Sequence, residues 1–206
     1  WEPDESGFYY TKYPTPGEVP AGEEDYNRHV FHHKLGADPK NDPKVFGEGL
    51  PREAWPSVSL SPNGEKLLFT VSQGWTRDDL YLQDVKTGQR TTVIEGTDAK
   101  SSAEFVEEGA KLQVLTTLDA PRKRLLEIDV AKPQQDHWVE LLPQDKEATL
   151  EDVTRVDGKL YANYLRNAHS EVGLRVSKMV KDALSQALAL SGDEELRSRV
   201  AGQGQD

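Results

Sequence analysis

The chain is punctuated by one repeated unit, a short turn with a Gly followed by a run rich in aromatic and β-branched residues. Four copies align: Pro3-Asp4-Glu5-Ser6-Gly7-Phe8-Tyr9-Tyr10-Thr11, Ser61-Pro62-Asn63-Gly64-Glu65-Lys66-Leu67-Leu68-Phe69-Thr70, Phe105-Val106-Glu107-Glu108-Gly109-Ala110-Lys111-Leu112-Gln113-Val114-Leu115 and Val156-Asp157-Gly158-Lys159-Leu160-Tyr161-Ala162-Asn163-Tyr164. Glycine accepts positive φ without a Cβ clash, so each unit reads as a tight turn feeding a strand. The anchor glycines Gly7, Gly64, Gly109 and Gly158 are 57, 45 and 49 residues apart. A third strand is expected after each unit, at 28–35, 79–85, 123–130 and 173–176, and a fourth after the first three, at 44–46, 90–94 and 137–142. Four short antiparallel strands per period of roughly 45–50 residues fit a β-propeller blade, and fit a sandwich poorly.

The expected fold is therefore all-β: a partial β-propeller of about 3.5 four-stranded antiparallel blades. The blades fall at about 1–49, 55–96, 101–142 and 150–176. Trp1 aligns with Leu60, the last residue of an innermost strand, so the first blade lacks that strand, and the fourth has no recognisable outermost one. Beyond Val176 the period changes. Val180, Leu184, Ala187 and Leu188 recur at helical spacing, and Ser191-Gly192-Asp193-Glu194 has the form of a capping box. Residues 177–206 are expected to form an α-helical tail. The chain opens on Trp1 with no charged segment and apolar stretch behind it, so a start further upstream is expected.

Charge excludes some partners. With 25 basic against 36 acidic residues the net charge is −11, which repels phosphate backbones and anionic lipid, so neither nucleic acid nor a membrane is expected as a partner. No apolar run approaches the ~18–20 residues of a bilayer span. The chain has 0 Cys, which excludes disulfides, thiol nucleophiles and Cys-bound zinc or iron–sulfur clusters, and leaves the compartment open between cytoplasm and periplasm.

The candidate chemistry thins out on inspection. His29-Val30-Phe31-His32-His33 suggests a metal centre, but on a strand His32 faces away from His29 and His33, and those two stand on the order of 13 Å apart. No metal site is expected there. Asp38-Pro39-Lys40-Asn41-Asp42 lacks the spacing and closing Glu of a calcium loop and reads as a proline-stiffened turn. Gly47-Glu48-Gly49 begins like a nucleotide fingerprint, but Arg52 stands where its third Gly belongs. With no P-loop and no Gly-x-Ser-x-Gly elbow, no cofactor and no catalytic residue is expected, and His137 and His169 have no nucleophile in reach. Aromatic loops remain. Trp55-Pro56 precedes an inner strand, Trp75 lies in the loop 72–78 and either faces a ligand or packs between blades, and Trp138 is read as a core residue inside a strand.

Certain stretches are more specific. Trp1-Glu2-Pro3-Asp4-Glu5-Ser6-Gly7-Phe8-Tyr9-Tyr10-Thr11-Lys12-Tyr13-Pro14, the acidic insertion, Tyr26-Asn27-Arg28-His29-Val30-Phe31-His32-His33-Lys34-Leu35-Gly36, Ser59-Leu60-Ser61-Pro62-Asn63-Gly64 and Ser72-Gln73-Gly74-Trp75 together resemble the propeller of the prolyl oligopeptidase family of serine peptidases. The resemblance covers about residues 1–176. It implies a seven-bladed propeller capping an α/β-hydrolase domain, which carries a Ser, Asp and His triad and cleaves short peptides after proline. The propeller then acts as a size filter and lends side chains to the pocket wall, and Phe8 and Trp75 match positions with that role. The implied partners are the α/β-hydrolase domain of a parent chain and short proline-containing peptides, and the chain alone is expected to be inactive. The rival reading is a stand-alone propeller module that binds without catalysis. In either case open blade edges favour self-association.

Overall fold

The computed structural model describes residues 1–156 and 159–175. The expected helical tail and Gly158 lie outside the described residues. The chain divides into two compact units, Trp1–Gln144 and Asp145–Asp206.

The first unit holds three antiparallel sheets laid down in chain order. Strands β1 (Gly7–Lys12), β2 (His29–Lys34) and β3 (Lys44–Phe46) make a three-stranded sheet. Strands β4 (Trp55–Leu60), β5 (Lys66–Gln73), β6 (Arg77–Asp84) and β7 (Arg90–Ile94) make a four-stranded one, as do β8 (Ser101–Val106), β9 (Lys111–Thr116), β10 (Arg124–Asp129) and β11 (Val139–Leu142). In the second unit β12 (Thr149–Val156), β13 (Lys159–Arg166) and β14 (His169–Arg175) form a three-stranded sheet. Every sheet is a simple meander, so the all-β, blade-by-blade architecture expected from the repeats is the one observed, with the first sheet short of an inner strand.

Strand β5 shows why the repeats stack. Side chains alternate along a strand, and both faces of this one are apolar. Leu67, Phe69 and Val71 point into a core shared with Val30 and Phe46 of the first sheet, while Leu68 points into a core shared with Leu112, Val114, Leu126 and Ile128 of the third. On β6, Leu80 and Leu82 join the second core and Tyr81 the first. A sheet buried on both sides reads as a continuous apolar run, which is what Leu67-Leu68-Phe69 is. Each fully buried Leu or Phe contributes about 1.5–3 kcal/mol of transfer free energy.

Two adjacent carboxylates lock the second sheet to its surroundings. Asp78 and Asp79 are the second and third residues of β6 and are 3% and 1% exposed. Asp78 accepts from Ser101 N–H at 2.9 Å, Lys100 Nζ at 2.7 Å and Ser72 Oγ at 2.6 Å, the first two from the third sheet and its approach. Asp79 accepts from Gly96 N–H at 3.0 Å, Gln73 Nε2 at 2.7 Å and both Nε and Nη2 of Arg77. Buried charge is tolerated where every lone pair has a donor.

Five local readings need correction. Gly7 is not the turn residue. Glu5, with φ +58°, occupies the position Gly64 fills at φ +75°, and Gly7 is the first residue of β1, where a Cβ would collide with the His33 carbonyl oxygen. The third strand of the last repeat starts at His169 rather than at 173, since Asn167 and Ala168 (φ +48° and +62°) close the β13–β14 hairpin without glycine. The strand expected at 137–142 starts at Val139, after a 3-10 turn at Gln135–His137. Trp138 follows that turn outside any strand, although it does pack on the second core and its Nε1–H donates to Pro133 O at 3.0 Å. The loop 72–78 shrinks to three residues, because β5 runs to Gln73 and β6 begins at Arg77.

Candidate functional site

The three neighbouring histidines each lie beside a different acid, and His33 alone is hydrogen-bonded to its own among the described residues. In β2, His29 Nε2 lies 3.7 Å from Glu48, His32 Nε2 3.2 Å from Glu2 on the opposite face, and His33 Nδ1 3.0 Å from Asp42. Burial, then the charge of Lys44, push the His29 pKa down, which favours a neutral ring. Among the described residues no group of three or more His, Cys, Asp or Glu side chains is placed to hold a metal ion. The 38–42 segment is a 3-10 turn capped by Asp38, whose carboxylate accepts from Lys40 N–H.

Phe8 sits on an aromatic face of the first sheet. It pairs with His33 across β1–β2, and its ring centroid is 5.2 Å from His33, 5.7 Å from Tyr10 and 4.9 Å from Trp1. Beneath it Asp42, its side chain 3% exposed, accepts from Tyr10 Oη at 2.8 Å and from His33. Burial opposes ionisation of Asp42, but the hydrogen bonds from His33 and Tyr10 outweigh it and hold the carboxyl below its ordinary range. Burial, then the bond to Asp42, push the Tyr10 hydroxyl up to about 12.

Trp75 lies at the other end of the strand direction. It stands in the turn after β5 and is 95% exposed, so it is not packed between sheets. Phe8 is the second residue of β1, the strand equivalent to β5, so the two expected pocket residues occupy opposite ends of equivalent strands and are not brought together.

Around the Trp75 end the structure gathers residues the sequence did not single out as a group. Trp55 opens β4 opposite Ser72 and is 57% exposed. The Arg28 guanidinium lies over the Tyr13 ring, 4.2 Å from its centroid, and over the Trp55 ring at 4.7 Å. Arg52 lies over Tyr26 at 4.7 Å, and the Arg52 carbonyl accepts from Asn27 N–H at 2.8 Å. Asn27, at φ +57°, turns the chain into β2. Beside this cluster a cavity of about 270 Å³ is lined by Lys12, Pro14, Glu18, Val19, Asn27, His29, Phe31 and Lys44. Its charges offset one another. Lys44 bonds Glu48 at 3.1 Å, and Glu18, bound first by Thr15 N–H and then facing Lys12 and Lys44, is held ionised below the usual carboxylate range. No local sequence signal announces the cluster, because Tyr13, Arg28 and Trp55 belong to three different segments.

A family model described as "Prolyl oligopeptidase, N-terminal beta-propeller domain" matches residues 1–198. Among curated proteins, the chain is 26% identical over 176 residues to the prolyl endopeptidase of Elizabethkingia meningoseptica, covering 84% of this chain and 24% of that protein. It is 28% identical over 188 residues to prolyl oligopeptidase ophP of Omphalotus olearius, covering 85% and 24%. Among solved structures, one from a structural and mechanistic study of two prolyl endopeptidases superposes with a TM-score of 0.77 at 31% identity, over 85% of this chain and 26% of that one. Prolyl oligopeptidase B from Galerina marginata, bound to a 35mer hydrolysis and macrocyclization substrate, matches in fold with a TM-score of 0.72 at 22% identity, over 85% and 25%. The chain thus spans about a quarter of the length of the relatives it matches.

Proposed function

Because this chain belongs to the family of the prolyl oligopeptidase N-terminal β-propeller domain, we propose that it is the peptide-gating part of a serine peptidase that cleaves short peptides after proline. The observation that carries the reading is the match over residues 1–198 to a propeller domain whose relatives are named as prolyl peptidases. Its partner on this reading is an α/β-hydrolase domain, which supplies the nucleophile, base and oxyanion donors that acyl transfer requires. Trp75, exposed on a turn at the end of its sheet, is the more accessible of the two proposed pocket-wall residues, and Phe8 is the other. The exposed Trp1, at 71%, and Val172, at 74%, add apolar surface through which copies of the chain self-associate at high concentration.

Mixing the purified chain with a separately expressed hydrolase domain from a relative tests the reading. The expected result is no turnover of a proline-containing chromogenic dipeptide by the chain alone, and association with the hydrolase domain that restores discrimination against long peptides. A chain that neither associates nor changes size selectivity would favour a stand-alone binding module. A concentration-independent monomer on sizing chromatography would remove the self-association.

A further inference from the structure

We propose that Arg28, held against the Tyr13 and Trp55 rings at the Trp75 end of the first two sheets, is a binding site for the carboxylate of a peptide. Guanidinium has five N–H donors, and ring faces offer no ordinary acceptor, so contact with Tyr13 and Trp55 positions the group without spending them. Among the described residues the Arg28 guanidinium has neither an ion pair nor a hydrogen-bond acceptor, and its Nε is buried without one.

Of the neighbouring cations, Lys12 rests on the Phe31 ring, 4.4 Å from its centroid, and two others are paired. Arg52, on the Tyr26 ring, bonds Glu53 at 2.6 Å and Glu23 at 3.4 Å, and Lys44 bonds Glu48. Three of the four acids of the connection that leads to Arg28 are committed elsewhere: Glu18 accepts from Thr15 N–H, Glu23 from Arg52 and Glu24 from Gly22 N–H, while the fourth, Asp25, is exposed and forms no ion pair with Arg28. A half-buried cation left without a counter-ion in a chain of net charge −11 is a group prepared for an acid from outside.

The chemistry selects the kind of acid. A single planar fork matches one carboxylate in bidentate fashion, whereas the overall negative charge disfavours polyanions. The exposed rings of Trp55 and Trp75 give apolar surface for the residues beside that carboxylate, which favours a peptide over a small free acid. The segment is also fixed in advance, by the Asn27 N–H to Arg52 carbonyl bond and the start of β2 at His29, so little ordering is lost on binding.

This proposal needs no catalytic partner and stands or falls separately from the peptidase reading. The test titrates the purified chain, followed by tryptophan fluorescence, with three N-acetylated tripeptides: one with a free C-terminal carboxylate, the same peptide as its C-terminal amide, and an amide carrying a Glu side chain. At least one acidic peptide should bind about tenfold or more tightly than the neutral amide, and the comparison of the two acids tells which carboxylate is read. Arg28→Gln should abolish the preference with an unchanged circular dichroism spectrum. Arg28→Lys, which keeps the charge but loses the fork, should weaken the acidic peptide by about fivefold and decides the matter if the Gln variant does not fold. Equal affinity for acid and amide, no binding at all, or a preference that survives both substitutions would overturn the proposal.

Discussion

Arg90 lies 4.4 Å from the Phe46 ring centroid and 5.5 Å from that of Phe69, in the seam between the first two sheets, and Arg28 lies at similar distances from Tyr13 and Trp55 at the end of the same sheets. Both guanidinium groups rest on aromatic faces. They differ in what meets their N–H edges. Arg90 donates to Gln83 Oε1 from Nε at 3.2 Å and from Nη2 at 2.8 Å, and to Val45 O at 3.5 Å, over rings stacked at 4.2 Å. Burial lowers its pKa, which measures the cost of keeping that charge inside. Among the described residues Arg28 has no such acceptors, and one of its rings is largely in solvent. The rings hold the cation in both places, and the acceptors decide whether the contact closes a seam or leaves donors for a ligand.

The sharpest way to break that comparison is to remove one ring from each clamp. Phe69→Ala, fully buried, should cost about 4 kcal/mol in urea unfolding. Trp55→Ala, at the exposed clamp, should cost less than about 1 kcal/mol while weakening the acidic peptide. Equal losses of stability would dissolve the distinction.

The partner side of the argument is tested by Asp78→Ala, which leaves Lys100 and the Ser101 N–H without their buried acceptor. A loss of about 3 kcal/mol is expected, and a change under 1 kcal/mol would show that buried pairing matters little in this fold. Smaller still is the direct exchange of the two arginines. Arg90→Met should cost about 1.5 kcal/mol through its lost bonds to Gln83, against about 0.5 kcal/mol or less for Arg28→Gln, both read from denaturant midpoints.

The gentlest test is by pH. Tyr10 is raised to about 12 in the folded chain against an ordinary value near 10. A raised pKa contributes stability that is complete below the unfolded value and is lost as pH climbs through the folded one. The melting temperature should therefore fall between about pH 10 and 12. Tyr10→Phe should flatten part of that fall, and an unaltered slope would remove the Tyr10–Asp42 bond from the account.

Much of the scaffold was legible in the residue order. The run Lys66-Leu67-Leu68-Phe69-Thr70-Val71 announces a strand buried on both faces, and the structure places its alternating side chains in two separate cores. The misreadings came where a single residue type stood in for a geometry. Gly7 reads as a turn residue but serves a close backbone approach, and the Asn167-Ala168 hairpin carries no glycine signal because it closes without one. At the site, strand alternation correctly separated His32 from His29 and His33, whereas nothing local linked Phe8 or Trp75 to their surroundings.

By itself the sequence determined the repeat period, the meander within each sheet and the face on which each strand side chain points. These follow from alternation and turn chemistry among residues close in the chain. Only the tertiary structure decided that Tyr13, Arg28 and Trp55 meet while Arg52 finds Glu23, and that Trp75 is left in solvent. Ring stacking and ion pairing depend on how separate connections approach one another once the sheets are stacked, and no window of neighbouring residues contains that distance.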